Sequence, residues 1–181
     1  VTGGAAFVQD MRLPGMAHGR VVRPPRPGSI LENFDEAAAK RLPGVLAVVR
    51  DGSFLGVVAE REEQAIKARE ALIKSAKWKL GPELPDPAKL YDHLKTLPSK
   101  DATIGVKQTP MPDGARTLEA TYTKPYMAHG SIGPSCALAQ LADGKLTVWT
   151  HSQGVFPLRV ELVKALKIPV TSIRCVHVEG S

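Results

Sequence analysis

Two polar stretches of this sequence combine residue types that can contact a ligand. The first, Trp149-Thr-His-Ser-Gln-Gly154, leaves a predicted strand and enters a predicted helix. A helix N-terminus offers free N–H donors, and the amide of Gln153 can both donate and accept a hydrogen bond. Gln153 is therefore a candidate to bind an oxygen atom of a ligand. The alternative, that these side chains only cap the helix, fits the sequence equally well.

The second stretch, Pro125–Pro134, is a Gly- and Pro-rich loop that carries Tyr126, His129 and Ser131 between two predicted strands. Glycine lets the main chain approach a ligand closely, and such loops often carry binding residues. Composition alone nevertheless favours a tight structural crossover over a ligand-binding loop.

The sequence gives little support for phosphate-binding, nucleophilic or metal-dependent chemistry. The phosphate-binding, nucleophile-elbow and zinc-protease motifs are all missing. Cys136 and Cys175 lack C-x-x-C spacing, so we expect two small buried side chains and predict neither a zinc nor an iron–sulfur site built from this chain alone. No two of the five histidines have the i,i+3 or i,i+4 spacing that would place them on one helix face as metal ligands: His18, His93, His129, His151 and His177.

The charge distribution and the apolar runs argue against two classes of partner, nucleic acids and membranes. The 181 residues include 24 Lys and Arg against 18 Asp and Glu, a formal charge of +6. These cations are scattered and, over residues 61–79, interleaved with glutamates, and few aromatic residues are available to stack on bases, so we predict no nucleic-acid binding. The longest apolar runs are far shorter than the ~20 residues that span a bilayer, so we predict no membrane span.

The first section of the chain predicts several strands, one short helix and one long helix. Val45 to Arg50 and Phe54 to Glu60 are apolar runs around Asp51-Gly52-Ser53, which predicts a hairpin of two central strands. Asp35 is a predicted N-cap. Further strands are predicted over 15–23 and 29–34, a short helix over 36–41, and an amphipathic helix over 60–78 with Ala65, Ala68, Leu72, Ile73 and Ala76 on its buried stripe.

The second section repeats this mixture after a Pro-rich connection. Residues 81–116 predict a connecting segment with one or two helical turns over 88–97, and the alternation over 117–123 predicts a strand. Beyond it we predict a hairpin of 135–141 with 145–150, a helix over 153–167 and a strand over 171–178. The fold class is therefore α+β, with domains at 1–80 and 117–181.

Several blocks, in order along the chain, resemble a known family. Those at 10–25, 42–49 and 54–60 resemble the a/b hammerhead domain of molybdenum hydroxylases, the xanthine dehydrogenase and aldehyde oxidoreductase relatives. Those at 126–139 and 149–154 resemble the opening of the molybdopterin-binding domain in the large subunit. The subgroup that the sequence resembles is the isoquinoline 1-oxidoreductase and nicotinate dehydrogenase beta subunits. The resemblance implies a hammerhead domain over 1–80, a connection over 81–116 and the beginning of a molybdopterin-binding α+β domain over 117–181.

The resemblance also implies roles for single residues. In this family the glutamine of the block matching Ser152-Gln153-Gly154 hydrogen-bonds an oxo group of the molybdenum, so that role falls to Gln153, with Ser152 and Gly154 beside it. Gly180 and Ser181 match the first residues of a glycine-rich loop that wraps the cofactor. The catalytic glutamate of the family has no counterpart in this sequence. Many relatives also carry a glutamate where this sequence has Gly133, so no role is transferred there.

The implied activity belongs to a larger assembly. The enzyme that the resemblance implies would hydroxylate an N-heterocycle or an aldehyde with oxygen from water. It would use a molybdopterin-type molybdenum cofactor in a dinucleotide form. The implied partners are the remainder of the large subunit, an iron–sulfur subunit, a cytochrome c and a small-molecule substrate. Since the chain lacks an initial Met and ends directly after a predicted strand, we expect it to be a piece of a longer protein. The resemblance implies that this piece is a non-catalytic N-terminal fragment of the large subunit. The alternatives are a scaffold or subunit-interaction module that reuses the hammerhead fold, and a basic nucleic-acid-binding domain.

Overall fold

The computed structural model describes residues 7–102, 104–105, 110–131 and 133–180. The predicted mixture of helices and strands is confirmed. The strands are β1 (His18–Val22), β2 (Ile30–Asn33), β3 (Val45–Asp51), β4 (Phe54–Ala59), β5 (Lys77–Lys79), β6 (Ala137–Ala142), β7 (Lys145–Thr150) and β8 (Ile173–His177). The helices are α1 (Glu36–Lys40), α2 (Glu62–Ser75), α3 (Leu90–Thr96) and α4 (Val155–Leu166), with short 3₁₀ turns at Val8–Asp10, Pro87–Lys89 and Val170–Ser172. In the described ranges no helix is both long and apolar enough to cross a bilayer.

The first sheet is antiparallel, with the order β1-β4-β3. The predicted hairpin is confirmed, since Asp51 lies opposite Phe54 where β3 turns into β4. Only β4 is central, however, and the prediction that both hairpin strands are central is wrong. β1 pairs with the second edge of β4, placing Val21 opposite Gly56, whereas β3 pairs with β4 alone among the described strands.

Helix α2 covers this sheet with its small and aliphatic residues. Ala65, Ala68 and Leu72 are fully buried, and Leu72 belongs to the same core cluster as Leu55 of β4. Ile73, predicted on the same stripe, is 45% exposed. One residue advances about 100° around a helix, so Ile73 lies at the solvent edge of the packed face.

The end of α2 differs from its prediction. The helix stops at Ser75, Ala76 is extended with ψ 127°, and Trp78 lies in β5 opposite Leu31 of β2. Trp78 also packs against the core cluster that contains Leu31. The prediction of a helix up to Trp78 is therefore wrong, because pairing with a strand distant in sequence overrides the helical period.

Helix α1 confirms the predicted cap. The Asp35 carboxylate accepts a hydrogen bond of 2.9 Å from the amide of Ala38, which satisfies one of the free donors of the first turn. Ala39 is completely buried in the first core. Glu36 and Lys40 form an exposed i,i+4 ion pair of 2.7 Å on the same helix.

The connection between the two sheets is mostly irregular. Helix α3 confirms the helical turns predicted over 88–97. The strand predicted over 117–123 is wrong: these residues form no strand, and Leu118 and Tyr122 are 93% and 92% exposed. A strand needs a neighbour for its backbone groups, and this segment pairs with no strand in the described part of the chain.

The second sheet has the order β6-β7-β8. β6 and β7 form the predicted hairpin, and its turn has positive φ at Asp143 and Gly144, as a two-residue type I′ turn requires. β8 pairs with β7 in parallel, and α4 is the crossover between them. Leu162 and Val163 of α4 pack against the core of this sheet, formed by Leu146, Val148 and Ile173.

The first described residues of the chain lie against the second sheet. The amide of Val8 donates a 2.7 Å hydrogen bond to the carbonyl of Glu179, and Val8 is almost fully buried. The side-chain amide of Gln9 donates to the carbonyl of Pro134 at 3.4 Å. This segment therefore joins the two sheets next to the end of β8.

The burial pattern of α2 predicts that substitutions at two neighbouring residues differ greatly in their effect on the free energy of unfolding. Leu72→Ala should lower the free energy of unfolding by about 2–5 kcal/mol, because it leaves a cavity beneath a fully buried side chain. Ile73→Ala, at a 45% exposed position, should change it by only about 0.5 kcal/mol. Urea denaturation of both variants measures the difference, and equal losses would contradict the packing described for this helix.

Candidate functional site

The candidate site is the turn of residues 151–154 between β7 and α4. Thr150, the last residue of β7, is buried, and its hydroxyl accepts a 3.2 Å hydrogen bond from the amide of Ser152. The Ser152 hydroxyl in turn accepts a bond of 3.3 Å from the amide of Gly154. Two successive side-chain-to-backbone bonds of this kind fix a tight turn without a regular element.

Gln153 projects from this turn as an exposed residue. Its side chain forms no hydrogen bond to any described residue. Gly154 is the N-cap of α4 and provides no side-chain cap, so the capping alternative for Gln153 is wrong. The Gln153 amide is therefore free to donate to, or accept from, a ligand.

The first turn of α4 adds backbone donors beside Gln153. The amides of Val155 and Phe156 have no partner in the part of the chain that the structure describes, and Pro157 has no N–H to satisfy. Leu158 donates to the carbonyl of Gly154 at 3.0 Å and starts the helical ladder. Two free N–H groups at a positive helix end favour an oxygen-rich or anionic ligand.

Gly180 lies beside the turn because β8 runs parallel to β7. The ladder continues past β8, where the amide of Val178 donates to the carbonyl of Thr150 at 2.9 Å. A Cβ added to Gly180 would lie 2.5 Å from the Cβ of His151, closer than real Cβ contacts allow. Glycine is therefore required at position 180 by its contact with His151.

His151 is the residue of this site that the sequence did not indicate. It was one of five histidines without a metal-ligand spacing, and its only signal was its position next to Ser152 and Gln153. In the structure its Nε2 accepts a long hydrogen bond of 3.4 Å from the amide of Cys136, the residue before β6. The side chain thus contacts both Cys136 and Gly180.

The first part of the Pro125–Pro134 loop, residues 125–131, is open to solvent. Residues 125–131 form no regular element and are all exposed, with Tyr126 and Met127 each 70% exposed. This exposure contradicts the prediction of a tight crossover. No hydrogen bond joins residues 125–131 to the 151–154 turn. Ile132 lies outside the described residues.

The two cysteines are partly rather than fully buried. Cys175 of β8 packs against the second core. Burial raises the pKa of its thiol, and the nearby Arg159 guanidinium acts in the opposite direction. Arg159 is held there by a 3.1 Å bond from its Nε to the carbonyl of Val170. Among the described residues, no three His, Cys, Asp or Glu side chains come together as metal ligands.

The second section of the chain matches a known domain family. The family model of the molybdopterin cofactor-binding domain matches residues 94–179, which include the second sheet, α4 and the 151–154 turn. One of the subunits of nicotinate dehydrogenase from Pseudomonas putida is 39% identical over 191 residues, covering 99% of this chain and 16% of that protein. The aldehyde oxidoreductase molybdenum-binding subunit of Escherichia coli is 27% identical, covering 97% of this chain and 28% of that protein.

Solved structures share the fold at low sequence identity. The Cu,Mo-containing CO dehydrogenase superposes with a TM-score of 0.58 at 20% identity, covering 96% of this chain and 29% of that one. Quinoline 2-oxidoreductase of Pseudomonas putida 86 gives a TM-score of 0.57 at 16% identity, covering 96% and 28%. The chain thus spans less than a third of the length of each of these relatives.

These matches define the class of the second section as a molybdopterin cofactor-binding domain. The 39% identity to the nicotinate dehydrogenase subunit covers 99% of this chain, so the similarity includes the first section as well. The chain belongs to the molybdenum hydroxylase family.

The contact between Gly180 and His151 makes a first prediction for the site. Gly180→Ala should push the 178–180 segment away from His151 and lower the free energy of unfolding by about 1–3 kcal/mol, as overpacking does elsewhere. Gly19→Ala is the control, since a Cβ there meets only a carbonyl oxygen at 4.0 Å. Urea denaturation, with hydrogen exchange of the Val178 amide, measures both; no difference between the two variants would argue against the contact.

The environment of Cys175 makes a second prediction. A raised pKa means less thiolate at neutral pH, so Cys175 in a Cys136→Ser variant should react with iodoacetamide more slowly than an unstructured cysteine peptide at about pH 7.5. Arg159→Gln should slow it further, because the cation that favours the thiolate is lost. Mass spectrometry measures both rates; a faster reaction in Arg159→Gln would contradict this assignment.

Proposed function

We propose that this chain is part of a molybdenum-cofactor-dependent oxidoreductase subunit that hydroxylates an N-heterocycle or an aldehyde with oxygen derived from water. The observation that carries the proposal is the free amide of Gln153 at the start of α4, within the segment that matches the molybdopterin cofactor-binding domain. The substrate class follows the names of relatives that act on nicotinate, aldehydes and quinoline.

The residues of the turn fit the cofactor proposed for them. Gln153, Ser152, Gly154 and Gly180 would hold a molybdopterin-type molybdenum cofactor, in its dinucleotide form. Gln153 offers an unpaired amide, Gly154 places no side chain at the start of α4, and the Gly180 backbone has no hydrogen bond within the described residues. The free amides of the first turn of α4 suit phosphate or oxygen groups. The bound group would supply the two-electron oxidation of the substrate carbon.

The residues of this chain would bind and orient the molybdenum cofactor. The Gln153 amide would donate a hydrogen bond to an oxygen atom of the cofactor and fix its orientation. Ser152 would hold the turn through its hydroxyl oxygen, which accepts from the Gly154 amide, while its O–H group can still donate to an oxygen atom of the cofactor. Its function would be to keep the turn, and with it Gln153, in a single conformation.

The remainder of the proposal concerns the assembly. The first sheet and α2, within residues 1–80, would be an a/b hammerhead domain, residues 81–116 a connection, and residues 117–181 the beginning of the cofactor-binding domain. The partners would be the remainder of a large subunit, an iron–sulfur subunit and a cytochrome c that carry electrons onward. The chain alone would be inactive, because the glutamate base of the family has no counterpart in it.

The proposal is tested by Gln153→Ala in the full-length holoenzyme. Turnover should fall by about 10–100-fold, as expected when a residue that orients a metal centre loses its contact. In the 181-residue chain the same change should alter the free energy of unfolding by only about 0.5 kcal/mol, since the side chain is exposed and unbonded.

Gln140→Ala is the matched control for this experiment. Gln140 is an exposed glutamine of β6, and its side chain is not hydrogen-bonded to any described residue. Steady-state turnover and molybdenum content are measured for both variants. If Gln153→Ala keeps the turnover of Gln140→Ala, Gln153 does not contact the cofactor.

A further inference from the structure

Three separate segments of the chain meet at the side chain of His151. Cys136 precedes β6 and donates its amide to His151 Nε2 at 3.4 Å. Gly180 follows β8 and lies so close that no Cβ would fit between it and His151. His151 itself begins the turn that carries Gln153. One imidazole therefore lies between the ends of all three strands of the second sheet.

The two segments proposed to hold the cofactor have few other connections at this point. The last ladder bond between them runs from the Val178 amide to the Thr150 carbonyl. Past it, the Glu179 carbonyl accepts from Val8 rather than from the turn, and Gly180 has no hydrogen bond within the described residues. The spacing between Gly180 and the Gln153 turn is thus set by the packing of Gly180 on His151.

The hydrogen bond to Cys136 fixes the imidazole in turn. An Nε2 that accepts from a backbone N–H carries no proton, so the neutral ring has its proton on Nδ1. The ring is half-buried and touches a glycine on one side, so both its orientation and its position are constrained. A shift of this ring would move the turn relative to Gly180.

We propose that His151 is a positioning residue that sets the separation between the Gln153 amide and the backbone at Gly180. It acts through these two residues and contacts neither substrate nor cofactor. This inference rests on the proposed function, since it assigns to His151 the placement of two groups proposed to bind the cofactor.

The geometry is tested first in the 181-residue chain. His151→Leu keeps the bulk of the side chain but removes the acceptor, so hydrogen exchange of the Cys136 amide should become about tenfold faster. His151→Gln should restore most of the protection, because its amide oxygen can take the place of Nε2. His93→Leu, on the exposed face of α3, is the control and should leave this amide unchanged. Equal exchange in His151→Leu and the native chain would overturn the proposal.

The function is tested by a double-mutant cycle in the full-length holoenzyme. His151→Leu should lower kcat about tenfold, and His151→Gln should recover most of it. In the Gln153→Ala background, His151→Leu should cost clearly less than in the native enzyme, because the Gln153 amide is already lost and only the placement of Gly180 remains to be disturbed. If the fold losses in kcat of the two single variants simply multiply in the double variant, His151 has a merely structural role and the proposal is overturned. If the leucine variant does not fold, His151→Asn, whose amide is too short to reach Cys136, takes its place.

The two proposals fail in different ways. Unchanged turnover and molybdenum content in Gln153→Ala would refute the proposed cofactor contact, whereas the exchange of the Cys136 amide does not depend on any cofactor. A loss of turnover in Gln153→Ala, together with an additive cycle, would instead refute only the positioning role of His151.

Discussion

The parallel pairing of β7 with β8 is the constraint on which the candidate site depends. Thr150 lies opposite His177, and the ladder continues to Val178, so both strands leave the sheet at the same edge. Parallel neighbours need a crossover connection, and α4 provides it. The first turn of that helix must then begin at this same edge. The parallel pairing of β7 and β8 therefore brings together a free helix N-terminus, an unbonded glutamine and Gly180.

The turn is held by neutral hydrogen bonds rather than by charges. The bonds from Ser152 to Thr150 and from Gly154 to Ser152 are local, and each contributes on the order of 1 kcal/mol. Gln153 takes no part in this set. Its backbone is therefore held in place while its amide has no intramolecular bond to break, an arrangement that lowers the cost of binding a ligand.

The N-terminal segment reaches this same region from the other sheet. Val8 is buried and bonded to Glu179, the residue before Gly180, and Gln9 is bonded to Pro134. The segment that follows β8 therefore contacts the turn through His151 on one side and the start of the chain on the other. A substitution at Gly180 would therefore disturb contacts to both sheets, although the residues that this segment contacts are distant in sequence.

The sequence by itself determined the features that depend on neighbouring residues: the Asp35 cap, the Asp143-Gly144 turn, the hairpins, the crossover helix and the place of Gln153 between a strand and a helix. Each of these follows from dihedral preference or from the period of apolar residues over a few positions. Only the tertiary structure decided that Trp78 is in a strand, that β3 is an edge, that residues 117–123 are unpaired and that His151 contacts Gly180. Periodicity reports which side chains favour burial, but the partner that buries or pairs with them lies far away in the chain, and no local pattern encodes it.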